Sequence, residues 1–207
     1  MGEAPLTFAR RGGIGYLTLN APPKNEMDAA FFTALGALCA RELRRSHLDG
    51  LVVHGAGRHF SCGANVEQLR AMLAGGGAGA APFLSGNGDA FLCLEQLSCP
   101  VVAAVAGCCL GAGMELALAC RYRLAATHAT FALPESTFGL MPGCGGTLRL
   151  PALVGTGRAA EMILSGRTML ADEALQIGLV DAVVDRKELL AAAERLVRRL
   201  RSPQAPS

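Results

Sequence analysis

The run from Pro100 to Cys120, PVVAAVAGCCLGAGMELALAC, decides how the rest of the chain is read. Pro100 stops a preceding helix, and Val101 to Val105 is a continuous apolar run of the kind buried on both faces of a parallel sheet. Gly107 to Gly113 reads as the turn after that strand, and Met114 to Cys120 as the helix it feeds. Residues 97–114 form an uncharged stretch of 18, long enough to raise the question of a membrane span. Pro100, Gly107, Gly111 and Gly113 interrupt it and favour strand, turn and helix start.

Outward from this unit, strand and helix patterns alternate. Leu6 to Arg10 and Ile14 to Leu19 form a hairpin around Gly12-Gly13, with Tyr16 as a cross-strand aromatic. Met27, Phe31, Leu35 and Leu38 recur at helical spacing, and Arg41, Glu42, Arg44 and Arg45 occupy the more solvated end. Leu51 to His54 reads as a short strand, and Asn65, after Gly63, stands where a helix N-cap would. From Ala71 to Gly88 no residue is charged and six of the eighteen are glycine, which predicts a mobile loop. Helix resumes over Phe91 to Leu97, and Tyr122 to Ala126 and Thr130 to Leu133 are extended. Gly143, Gly145 and Gly146 precede another helix, and Leu179 to Val184 is a late strand in a mostly helical remainder. The class is α/β.

A chain of 207 residues suits one domain with its own core. At 51% apolar and 17% charged it is not disordered, and a net charge of +2 gives no reason to expect nucleic acid or an anionic membrane as partner. No signal-peptide pattern opens the chain, and its eight cysteines contain no C-x-x-C pair. They read as small packing residues, reduced in a cytoplasmic protein, with four scattered histidines giving no zinc pattern.

Two segments have the character of an anion site. In Gly111-Ala112-Gly113-Met114-Glu115, small residues let a substrate approach the backbone, and the first free amides of the following helix point at it. No G-x-G-x-x-G or Gly-Lys-Ser/Thr spacing accompanies it, so a transient oxyanion suits it better than a phosphate; alone, it equally suits a structural turn. His59-Phe60-Ser61-Cys62-Gly63-Ala64-Asn65 repeats the pattern, and one donor from each turn makes a two-pronged oxyanion hole. Glu115 lies in the first turn of its helix among apolar residues, where burial and the helix N-terminus pull its pKa in opposite directions. Glu135 follows Leu133-Pro134 and reads as a first-turn glutamate; the intervening chain has room to bring the two carboxyls together, as acid–base chemistry on water requires. His47, His54, His59 and His128 have no nucleophile beside them, and Ser61 lacks a G-x-S-x-G elbow. Arg195, Arg198, Arg199 and Arg201 read as a solvated face near a helix C-terminus.

Residues 60–65, 106–117 and 131–147, together with Leu164-Ser165-Gly166-Arg167, Ala171-Asp172-Glu173-Ala174 and Gly178-Leu179-Val180, resemble the crotonase, or enoyl-CoA hydratase/isomerase, superfamily in order and spacing. The resemblance implies a crotonase-like spiral of ββα units over residues 1–185, with 186–207 beginning a C-terminal helical region. It implies a coenzyme A thioester as substrate, in fatty acid metabolism, with the thioester oxygen held by the backbone amides of Ala64 and Ala112. Hydrating members carry glutamates at the places of Glu115 and Glu135; the first mainly activates water and the second mainly exchanges the Cα proton. Lys24, Asn25, Ser61, Gly63, Gly111 and Gly143 fall at substrate-binding places. No metal or redox cofactor is implied, coenzyme A being part of the substrate, and the family forms homo-oligomers such as trimers or dimers of trimers.

The chain departs from the family pattern in four places. Ala112 replaces a glycine, which is harmless only at negative φ; Asn65 replaces an aspartate; Glu26 replaces a small residue near the expected coenzyme A approach. The chain stops at Ser207, where relatives continue with helices that close the acyl pocket, so either a fragment or a pocket completed in another way, for example by a partner, is expected. The leading expectation is an enoyl-CoA hydratase. A double-bond isomerase needing one carboxylate, a dehydratase of carrier-protein-bound acyl chains, and a non-catalytic subunit are the alternatives.

Overall fold

The computed structural model describes residues 4–45, 47–67 and 90–201; the glycine-rich stretch 71–88 lies outside them. In chain order the elements are β1 (Leu6–Arg11), β2 (Ile14–Leu19), α1 (Ala29–Leu38) with a π-helical turn at Cys39–Leu43, β3 (Gly50–Gly55), a helical segment at 90–95, β4 (Val101–Val105), β5 (Cys108–Leu110) and α2 (Ala112–Ala119). There follow β6 (Tyr122–Ala126), β7 (Thr130–Ala132), a 3-10 turn at Pro134–Phe138, α3 (Gly146–Val154), α4 (Thr156–Ser165), β8 (Met169–Leu170), α5 (Ala171–Gln176), β9 (Ala182–Val184) and α6 (Leu189–Arg201).

Among the described residues these strands make a six-stranded sheet in the order β1-β2-β3-β4-β6-β9 and a smaller sheet in the order β5-β7-β8. β1 and β2 are the expected hairpin, and every later pairing in the large sheet is parallel. β4 is buried along its whole length because both faces are covered. Val102 and Ala104 point toward α6, which presents Leu189, Ala193 and Val197 at helical spacing, while Val101, Ala103 and Val105 join the larger core on the other face. The units that begin at β4 and β6 each supply one strand to the large sheet and a short strand, β5 or β7, to the second layer before turning into helix. This is the expected spiral.

Several boundaries differ from the sequence reading. Met27 is not in the first helix: the Asp28 carboxylate accepts the Phe31 amide at 2.8 Å and starts α1 after it, while Met27 bridges Ala64. The stretch from Gly107 to Gly113 is not simply a turn, since Cys108–Leu110 pairs with β7 as a strand. α2 accordingly starts at Ala112, not Met114, and ends at Ala119. Of Leu179 to Val184 only Ala182–Val184 is strand; the Leu179 and Val180 amides turn back to Ala174 O at 2.8 and 3.3 Å and close α5. The second extended run ends at Ala132, and the helix expected over Phe91 to Leu97 covers 90–95. Tyr16 stands opposite Ala9, and its hydroxyl donates to Glu194 Oε1 at 2.6 Å. Arg195, Arg198, Arg199 and Arg201 are exposed, as expected.

Candidate active site

Strand pairing brings distant turns to one place. Ser61 bridges Cys109, and Leu110 pairs with Ala132, so the residues that follow each of them emerge side by side. The Leu110 amide donates to Ser61 O at 3.0 Å and the Gly111 amide to Ala132 O at 2.9 Å. Gly111 opens α2 at φ +51°, which glycine adopts at little cost. A Cβ on Gly63 would lie 2.8 Å from Leu110 O and 3.6 Å from the Ala112 nitrogen, and one on Gly113 would lie 2.7 Å from Ser61 Cβ. The two turns therefore touch backbone to backbone.

Ala112 is the first residue of α2, where an amide has no intrahelical acceptor. Neither its amide nor that of Ala64 has a hydrogen-bond partner among the described residues. Asn25 is the one residue other than glycine with positive φ among them, so the alanine at 112 is unstrained. Asn65 precedes helical residues 66–67, and its side chain donates to Glu26 Oε2 at 2.9 Å.

Glu115 is 1% exposed. Its Oε1 accepts the Cys144 amide at 2.7 Å and the Gly146 amide at 2.8 Å, from the loop that opens α3. Burial pushes its pKa up, against those two amides, the Arg149 charge and the Cys144 thiol. Glu135 sits in the 3-10 turn after β7, with Oε1 beside Gly111: a Cβ there would lie 3.1 Å from it. Its Oε2 is buried with no partner among the described residues. Burial pushes the Glu135 pKa up to about 7; a bond from its own amide opposes this, and the Glu115 charge adds to it. The carboxyls thus act on each other next to the paired turns.

The remaining predicted residues divide by position. Ser61 is fully buried; its hydroxyl donates to Asn25 O at 2.8 Å and accepts the Gly63 amide at 3.0 Å, which ties the first turn down from behind. Asn25, 1% exposed, clips the 21–25 turn to the 56–59 loop by donating to Ala56 O and His59 O at 2.9 and 2.8 Å. Lys24 is exposed and pairs with Glu26 at 3.3 Å, while its carbonyl accepts the Cys62 amide at 2.9 Å. Gly143 is exposed, one residue before the Cys144 amide that Glu115 holds.

Sequence reading missed the partners of Glu115. Cys144, Gly146 and Arg149 stood in view as a glycine cluster followed by a helix, but no spacing rule connects them to residue 115. It also missed His59, whose Nδ1 accepts the Cys108 amide at 3.0 Å and whose pKa is lowered by burial. Among the described residues no helix is long and apolar enough to cross a membrane.

The family model described as enoyl-CoA hydratase/isomerase matches residues 9–206. The carnitinyl-CoA dehydratase of Salmonella arizonae is 39% identical over 196 residues, covering 94% of this chain and 74% of that protein. The probable enoyl-CoA hydratase of Bacillus subtilis is 34% identical over 204 residues, covering 92% and 74%. Among solved structures, a putative enoyl-CoA hydratase from Thermobifida fusca in complex with acetoacetyl-CoA superposes with a TM-score of 0.86 at 31% identity, covering 95% of this chain and 80% of that one. With a match of that span and the same spiral of strands, the chain belongs to the enoyl-CoA hydratase/isomerase family, the crotonase enzymes.

Proposed function

We propose that the protein is an enoyl-CoA hydratase, adding water across the 2,3 double bond of an enoyl-CoA thioester or running the reverse dehydration. The observation that carries this reading is the pair of interacting carboxyls at the paired turns: Glu135 Oε1 lies beside Gly111, Glu115 Oε1 lies against Gly146, the Glu115 charge acts on Glu135, and each carboxyl is pushed upward in pKa. An isomerase needs one such group; hydration uses both.

In the proposed reaction the thioester oxygen accepts from the Ala64 and Ala112 amides. Glu115, whose ionised form is favoured by the amides of Cys144 and Gly146, takes a proton from water as hydroxide adds to Cβ. Charge moves onto the thioester oxygen, where each well-placed amide is worth ~2.7–4 kcal/mol in the transition state. Glu135, with a pKa of about 7, carries a proton in a large fraction of molecules near neutrality and delivers it to Cα. The proton gained by Glu115 and that lost by Glu135 then re-equilibrate with solvent. The amides and carboxyls supply all the charge stabilisation in this scheme, so it calls for no cofactor beyond the coenzyme A of the substrate. Lys24, Asn25, Ser61, Gly63, Gly111 and Gly143 shape the approach of that thioester, the buried ones by holding the turns. The acetoacetyl-CoA complex of the Thermobifida fusca relative supports an acyl-CoA ligand.

The homo-oligomer remains part of the proposal, supported by Leu148, Leu164 and Leu170, which are 78%, 71% and 63% exposed. The test of function is hydration of crotonyl-CoA, followed by loss of the enoyl-thioester absorbance. Wild-type turnover that falls on the order of 10²–10⁴-fold in both Glu115→Gln and Glu135→Gln supports hydration. Loss in only one variant points to double-bond isomerisation, and no turnover of any thioester points to a non-catalytic subunit.

A further inference from the structure

Arg149 lies in α3, one turn beyond the loop that holds Glu115, and the scheme above gives it no part. Its Nη1 donates to Cys144 O at 2.7 Å, while Nε and Nη2 donate to Glu95 Oε2 at 3.2 and 3.0 Å. The side chain is 15% exposed and that of Glu95 46%. Cys144 therefore turns its amide to Glu115 and its carbonyl to Arg149.

The glycines of the loop make this possible. A Cβ on Gly145, at φ +97°, would lie 2.2 Å from Arg149 Nη1, and one on Gly146 would lie 3.0 Å from Glu115 Oε1. One glycine clears room for the guanidinium and the other for the carboxylate. The result is a relay from Glu95 through Arg149 and the Cys144 peptide to Glu115.

We propose that Arg149, anchored by Glu95, is a positioning residue for Glu115: it fixes the 144–146 backbone so that both amides stay aimed at the carboxylate, and its charge favours the ionised base. This rests on the reading of Glu115 as the group that activates water. The titratable groups facing Glu115 are Cys144 from the loop, Arg149 from α3 and Glu135 from the 3-10 turn. The Cys144 thiol is pushed far up by burial and the Glu115 charge, so it stays neutral through the working range, and a charged Glu135 opposes ionisation of Glu115. Among the described residues, Arg149 is the cation that faces it.

The test uses Arg149→Met, Arg149→Lys and Glu95→Gln. The readouts are kcat and KM for crotonyl-CoA hydration against pH, and the carboxyl titration of Glu115 by NMR on protein labelled with carbon-13 glutamate. The Glu115 resonance is assigned by its absence in Glu115→Gln and followed in a Glu135→Gln background, so that the neighbouring carboxyl does not titrate with it. Arg149→Met is expected to lower kcat roughly 100-fold with little change in KM, as misplacement of a reacting group does. The acid limb of the profile and the Glu115 titration should both move to higher pH. Arg149→Lys should restore the titration more fully than kcat, because it returns the charge without the planar fork. Glu95→Gln, altered at an exposed site, should shift both in the same direction by less, and it keeps the test available if Arg149→Met does not fold. Folded variants whose pH profile and Glu115 titration match the parent overturn the proposal. If the wild type hydrates no thioester, the reading of function fails, while the NMR titration still decides whether Arg149 governs Glu115.

Discussion

Replacing Glu135 by glutamine should make the protein more stable while it removes activity, by an amount that grows with pH. The Glu135 pKa stands at about 7 against an ordinary 4.5, chiefly because burial disfavours its charge. Each pK unit is worth about 1.36 kcal/mol, so ionising this group in the fold costs up to about 3 kcal/mol more than in the unfolded chain. Because the folded-state value is the raised one, the protonated form holds its full contribution below about 4.5, and this is lost as pH rises through about 7. Between about pH 5 and about pH 8 the wild type should therefore lose roughly 2 kcal/mol relative to Glu135→Gln, after allowing for partial exposure of the side chain. For a domain of this size that widens the difference in Tm by roughly 4–8 °C. The glutamine amide meets the same buried surroundings as the unpartnered Oε2, which adds an offset independent of pH. Thermal unfolding of both proteins across that pH range measures the slope. Parallel stability curves would refute the reasoning, since they would mean that Glu135 titrates as an ordinary surface glutamate.

Three further substitutions probe the frame around the site. Gly113→Ala should cost roughly 1–3 kcal/mol and most of the hydratase activity, because the new Cβ would lie 2.7 Å from Ser61 Cβ and 2.9 Å from Ser61 O and drive the two turns apart; Tm and kcat read the two effects. Asp28→Ala removes the cap at Phe31 and should lower stability by about 1 kcal/mol with kcat unchanged, measured by urea unfolding and steady-state kinetics. Asn25→Ala strips the bonds to Ala56 O, His59 O and the Ala21 amide and leaves an alanine at φ +49°, so a loss of at least ~1–3 kcal/mol is expected in the same urea experiment.

The α/β class and most strand positions were legible because they rest on local pattern. Val101 to Val105 has the unbroken apolar character that burial on both faces demands, and Gly12-Gly13 marks a hairpin turn that forms as expected. What sequence could not give was the second sheet. Cys108–Leu110 carries glycines close on both sides and is only three residues long, so its strand character comes from pairing with residues 130–132 and not from its own composition. Met27 shows the same limit. Its spacing from Phe31 suits a helix, yet a single carboxylate at Asp28 decides where the helix starts, and Met27 joins Ala64 instead. In both cases a tertiary contact outweighed the local signal.

At the site, the residue types were legible and the wiring was not. Two glycine-containing turns and two glutamates stood out, and the motifs around them pointed to one family. That Oε1 of Glu115 would be held by the amides of residues 144 and 146 depends on how α3 folds back over α2, which no periodicity encodes. The functions of Ser61 and Asn25 as ties behind the first turn are likewise matters of packing: their side chains bond to backbone atoms of segments up to 36 residues away.

The most direct measurement is a crystal structure with an unreactive acyl-CoA analogue such as acetoacetyl-CoA bound. The thioester oxygen should lie ~2.7–3.1 Å from the amides of both Ala64 and Ala112, with the neighbouring acyl carbons facing the Glu115 and Glu135 carboxyls. A thioester oxygen bound elsewhere, or acyl carbons turned away from either glutamate, would contradict the account.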